Sequence, residues 1–116
     1  MRHFPSGATR SSEDAKPDYE GFLSPLVIRR FGEYMTAHRR QEDGALRASD
    51  NWQKGIPRDS YMRSAWRHFL DWWMCHREGL PEDRLEEALC ALLFNIQGYL
   101  HEHLKRRLNE DSDNPT

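Results

Sequence analysis

Residues 60–81 read Ser60-Tyr-Met-Arg-Ser-Ala-Trp-Arg-His-Phe-Leu-Asp-Trp-Trp-Met-Cys-His-Arg-Glu-Gly-Leu-Pro81, and the distribution of apolar groups in this run decides the fold. Tyr61, Met62, Ala65, Trp66, Phe69, Leu70, Trp72, Trp73 and Met74 recur at helical spacing and cover nearly the full circumference. A helix that is apolar all round is expected at the centre of a fold. It starts at Asp59 or Ser60 and stops before Gly79-Leu80-Pro81, a glycine followed closely by a proline that cannot continue a helix.

Working outward, a further helix follows Pro81, with Glu82 and Asp83 near its positive end and Leu85, Leu89, Leu92, Ile96, Tyr99, Leu100, Leu104 and Leu108 stepping by three or four. That is about 26 residues, roughly 40 Å of helix. Upstream, Ser24-Pro25 is an N-cap followed by proline at the first helical position. Leu26, Ile28, Phe31, Tyr34 and Met35 give that helix an apolar face to about His38. Between it and the aromatic helix lies a loop from about Gln41 to Pro57, with Gly44, Asn51, Gly55 and Pro57 as breakers and Leu46 and Trp52 as anchors. No segment alternates as a strand. The expectation is an all-α bundle of three main helices over residues 20–108, flanked by a flexible arm over 1–19 and a disordered tail over 109–116.

Composition narrows the function classes. With 37% apolar and 31% charged residues in 116, the core is thin, and association would help it. So long a last helix points to a homodimer or homotetramer. A net charge of -2 gives no global field for nucleic acid or an anionic membrane. Cys75 and Cys90 match no metal or redox spacing and are read as buried free thiols. The first residues lack an apolar signal-like run and nothing is long enough to span a bilayer, so a cytoplasmic protein is expected.

The polar residues inside the apolar helices are the candidates for chemistry. His68 and Asp71 are three apart, hence on one side of the aromatic helix, with Arg67 adjacent. Glu87 and Asn95 share a side of the last helix, and Ala91 between them leaves space. Two antiparallel helices would converge His68, Asp71, Glu87 and Asn95 on one polar pocket, the way bundles build metal sites. Oxygen donors with one imidazole suit Mg²⁺ or Mn²⁺ better than zinc. The short basic runs, His38-Arg39-Arg40 and Lys105-Arg106-Arg107 among them, read as solvated helix ends.

Lys16-Pro-Asp-Tyr-Glu-Gly-Phe-Leu-Ser-Pro, Ser49-Asp-Asn-Trp-Gln-Lys-Gly-Ile-Pro, Trp66-Arg-His-Phe-Leu-Asp-Trp-Trp and Leu85-Glu-Glu-Ala-Leu-Cys-Ala-Leu-Leu-Phe-Asn together resemble the phage dATP/dGTP diphosphohydrolase N-terminal domain family, a MazG-like branch of the all-α nucleoside triphosphate pyrophosphohydrolases. The resemblance covers about residues 16–104. It implies Mg²⁺-dependent hydrolysis of dATP or dGTP to the monophosphate and pyrophosphate, with Asn51, Trp52, Arg67, His68, Asp71, Glu87 and Asn95 at the family's positions. In that mechanism Asp71 and Glu87 hold the metal and His68 orients or deprotonates the water. Arg67 and Lys54 touch phosphate, and Trp52 stacks the base or walls its pocket. A rival reading is a non-catalytic helical interaction module of phage origin, with His68 and Asp71 fixing register.

Overall fold

The computed structural model describes residues 2–10 and 15–113, and it is mainly helical. Its elements are a two-stranded hairpin, β1 (Arg2–His3) with β2 (Thr9–Arg10), a single helical turn α1 (Tyr19–Phe22), α2 (Pro25–Ala37), a 3₁₀ turn (Asn51–Lys54), α3 (Arg58–Glu78) and α4 (Glu82–Asp113). The fold is all-α with three main helices, as the sequence leads one to expect.

Local chemistry sets the boundaries. Ser24 Oγ accepts from Val27 N at 3.3 Å and Pro25 opens α2, while Asp18 Oδ1 caps α1 through Gly21 N at 3.1 Å. Gly79, at φ +65°, ends α3 in the left-handed conformation that L side chains resist, and its N–H closes on the Cys75 carbonyl at 3.0 Å. With only Leu80 and Pro81 beyond it, α4 turns back antiparallel along α3.

The α3–α4 seam is narrow because its residues are small. Ala88, Cys90, Ala91 and Cys75 are buried, and Gly98 lies under the ring of Tyr61, which is only 2% exposed. Tyr61 opposite Gly98 fixes the register: ten residues on, Asp71 is level with Ala88, and His68 with Ala91. Both cysteines are buried free thiols.

Four expectations are corrected. α3 is half of a hairpin rather than a central helix, and Trp66 is 67% and Trp73 56% exposed, because none of the described residues packs on one flank of the hairpin. Helix α4 continues to Asp113, so Asn109–Asp113 is helical where a disordered tail was expected; residues 114–116 lie outside the described region. Within the expected arm, residues 2–10 form the hairpin, Arg2 paired with Arg10 and His3 with Thr9. Leu46 does not anchor its loop, being 55% exposed, whereas Trp52 does: it meets the rings of Phe94 and His101 at centroid distances of 6.2 and 4.8 Å.

Candidate nucleotide site

The two flanks of the α3–α4 hairpin differ. One carries α2 and the 3₁₀ turn. Arg30 Nε donates to Glu86 Oε1 at 2.7 Å, Ile56 N to Glu102 Oε1 at 3.4 Å and Lys105 Nζ to the Gln53 carbonyl at 3.3 Å. The other flank is an open apolar groove of about 910 Å³, walled by Met62, Trp66 and Phe69 on α3 and Leu92, Ile96 and Leu100 on α4.

On the covered flank, α2, the following loop and the 3₁₀ turn enclose a smaller cavity of about 360 Å³, with Trp52 and Phe94 as aromatic walls and Arg39, Arg47, Ser49 and Asn51 among its polar lining. The loop is built for this. Arg47 N donates to the Arg39 carbonyl at 2.8 Å and Gln41 N to that of Ala45 at 2.8 Å, with Arg40 and Leu46 bridged antiparallel. Gly44, at φ +87°, makes the reversal, and Asp43 Oδ1 accepts from Ala45 N at 2.9 Å. Arg39 Nε donates to the Arg47 carbonyl at 2.8 Å, which fixes that guanidinium beside the cavity. A flat aromatic wall beside two guanidiniums suits a ligand with a ring at one end and phosphate at the other.

The expected site residues are distributed as follows. Asn51 and Trp52 line this cavity, and Lys54 is exposed at the end of the same 3₁₀ turn. His68 Nδ1 and Asp71 Oδ2 are 4.0 Å apart, their side chains 32% and 46% exposed, so the surrounding aromatics do not bury them. Helical phase places Asp71 on α3 and Glu87 on α4 towards the flank opposite the groove, and the seam register puts them within a residue of the same level. Arg67 is exposed. Asn95 is the exception to the expected convergence. It is 5% exposed, lines the open groove on the opposite flank, and donates Nδ2 to the Ala91 carbonyl at 2.7 Å, an i−4 bond that any buried helical asparagine can make.

Among the described residues no group of three or more His, Cys, Asp and Glu side chains stands close enough to hold a metal ion. A closed zinc-type cage is therefore not built by these side chains. Mg²⁺ asks for less: one or two carboxylates, waters and the substrate's own phosphate oxygens. Asp71 and Glu87 are two carboxylates at neighbouring levels of the hairpin by the seam register.

Burial sets the electrostatics of the covered flank. It pushes the Tyr34 phenol up, with the charge of Glu87 adding to the effect. It also pushes the Cys90 thiol up, against a smaller opposing pull from Arg30. Burial raises Tyr61 at the seam, and Glu102 adds to it.

Arg39 and Arg47 are the residues that sequence reading misses. The signal is present: Asp43-Gly44 is a turn dipeptide, and a hairpin around it brings the two arginines level. Comparison with protein-family models, curated proteins and solved structures found no match for the chain. Among the described residues no helix is long and apolar enough to cross a membrane.

Proposed function

We propose that the protein hydrolyses a purine deoxynucleoside triphosphate, dATP or dGTP, to the monophosphate and pyrophosphate. The observation that carries this reading is the cavity in which Trp52 and Asn51 stand beside Arg39 and Arg47. The base rests on Trp52, and the guanidiniums hold phosphate oxygens in the forked geometry that arginine supplies. Phe94 and Glu87 are seven residues apart on α4, about 10 Å. Phosphates leaving the cavity along α4 would therefore run towards Asp71, Glu87 and His68.

There His68 takes the proton of the attacking water, as an imidazole can near neutral pH, and Asp71, within 4.0 Å, orients the ring. Asp71 and Glu87 are the residues that would hold Mg²⁺ or Mn²⁺, whose chemistry when bound is to offset phosphate charge and acidify water. Lys54 and Arg67 are exposed cations available to the outer phosphates. The enzyme works in the cytoplasm as a homodimer or homotetramer. Pyrophosphate release from dATP and dGTP with Mg²⁺ tests the reading. Release that falls at least tenfold in Arg47→Met, mainly through KM, supports it, and no release from any nucleotide overturns it.

One observation favours a second reading, an interaction module without catalysis: the open groove is larger and more apolar than the cavity. A preparation that releases no pyrophosphate yet captures a partner helix selects that reading.

A further inference from the structure

A single chain leaves too much surface in water. Its accessible area is 9791 Å², whereas a closed monomer of 13.8 kDa exposes about 6,600 Å². Its radius of gyration is 19.5 Å against the roughly 13 Å expected of a closed chain of this length. Part of the excess lies on one face of the α3–α4 hairpin. Met62, Trp66, Phe69 and Trp73 form one stripe along α3 at intervals of three and four, and Leu92, Ile96 and Leu100 form its counterpart along α4. Apart from Leu92, each of these is between 44% and 67% exposed. Since an aromatic side chain presents 150–250 Å², the exposed parts amount to roughly 600 Å² of contiguous apolar surface, close to the 800 Å² each partner contributes to a standard interface.

We infer that this face of α3–α4 is where a second copy of the chain docks, two hairpins closing about a twofold axis into a four-helix bundle. The inference deepens the homo-oligomer in the reading above and is independent of its chemistry. Two observations favour a second copy over a foreign helix. The groove is two helices wide and apolar on both walls, so an identical hairpin fills it with its own stripes, as an isologous contact requires. α4, at 32 residues, runs well past the 21 of α3 and leaves Leu104 and Leu108 at 43% and 67% exposure, a length that one α3 cannot cover.

Light scattering on the full chain at micromolar concentration tests this. The expected mass is twice 13.8 kDa. Trp66→Glu, a charge in the middle of the face, should return a mass of 13.8 kDa with helicity by circular dichroism retained. Leu26→Glu, at a position 80% exposed on α2, should leave the dimer intact. If Trp66→Glu fails to fold, dilution of the unaltered chain decides instead: emission from Trp66 and Trp73 shifts to longer wavelength as the dimer separates. A monomeric mass for the unaltered chain, with or without a foreign helix bound in the groove, overturns the inference. So does an unchanged dimer in folded Trp66→Glu. Loss of pyrophosphate release with the dimer intact would sink the hydrolase reading and leave this one standing.

Discussion

The two flanks of the α3–α4 hairpin are built from the same residue types and have opposite fates. On one, Trp52 rests on Phe94 and His101 and Arg30 pairs with Glu86, so that α2 and the 3₁₀ turn cover the hairpin. On the other, Trp66 and Trp73 are more than half exposed. The difference shows that aromatic content alone does not make a core. What makes one is a second element at the right height, and the loop from Arg39 to Lys54 supplies it on one flank only. The covered flank also holds the polar cavity, together with Asp71 and Glu87. The two proposals thereby put chemistry and association on opposite sides of one pair of helices, and each can be tested separately.

The largest effect should come from His68. A general base contributes about 10²–10⁴-fold, so His68→Leu should lose hydrolysis by that factor. Because the side chain is a third exposed, the melting temperature should hold or rise. Asp71→Asn should lower Mg²⁺ affinity and turnover together. Retained turnover in both variants would remove this flank from the chemistry and break the division between the two sides.

Next comes a direct exchange between flanks. Trp52→Ala removes an aromatic anchor from the covered side and, at half burial, should cost about 2 kcal/mol. In a domain of this size that lowers Tm by on the order of 10 °C. Trp66→Ala should change single-chain stability by about 0.5 kcal/mol or less, since surface positions tolerate substitution, and act instead on the concentration dependence of Tm. Equal losses at every protein concentration would mean that the two tryptophans are not in different environments.

At the seam that the flanks share, Gly98→Ala should be smaller but diagnostic. A methyl there overlaps the ring of Tyr61, which is 2% exposed. Overpacking of this kind costs about 1–3 kcal/mol, and alanine's better helix propensity returns up to about 1 kcal/mol. Tyr61→Leu made together with Gly98→Ala should recover much of the loss, a non-additivity measurable in denaturant melts. Simple additivity would show that the seam is wider than Gly98 and Tyr61 imply.

What was legible in the sequence follows from which interactions are local. Ser24-Pro25 and Gly79-Leu80-Pro81 mark helix ends because capping is decided within a few residues, and the antiparallel hairpin follows from a short connection. His68 and Asp71 are rightly placed on one side of α3 for the same reason. The orientation of α3 was not legible: a helix apolar all round has no preferred side, so its pattern cannot say which stripe meets α4 and which stays bare. Asn95 was misplaced by the same gap. Eight residues separate it from Glu87, a spacing of roughly 80° round the helix, enough to put one on each flank. Arg39 and Arg47 come together only through a turn at Gly44 that a helical reading passes over.

The smallest effect separates the flanks by pH. Burial on the covered flank raises both the Cys90 thiol and the Tyr34 phenol, and Tyr61 at the seam rises with them. Each is an acid that holds its proton more tightly folded than unfolded. Its contribution is therefore fully present below the unfolded pKa, about 8.5 for a thiol and about 10 for a phenol, and is lost as pH rises through the folded value. Stability should be flat with respect to these groups up to about pH 8, then fall in two stages, the thiol first. Cys90→Ala should remove the first stage and leave the second, because alanine is smaller than the buried thiol it replaces and has nothing to ionise. Denaturant midpoints at pH 7.5, 9 and 10.5 check this. If the fall between pH 7.5 and 9 is unchanged in Cys90→Ala, the thiol is not the group that titrates, and the covered flank is wetter than its packing implies.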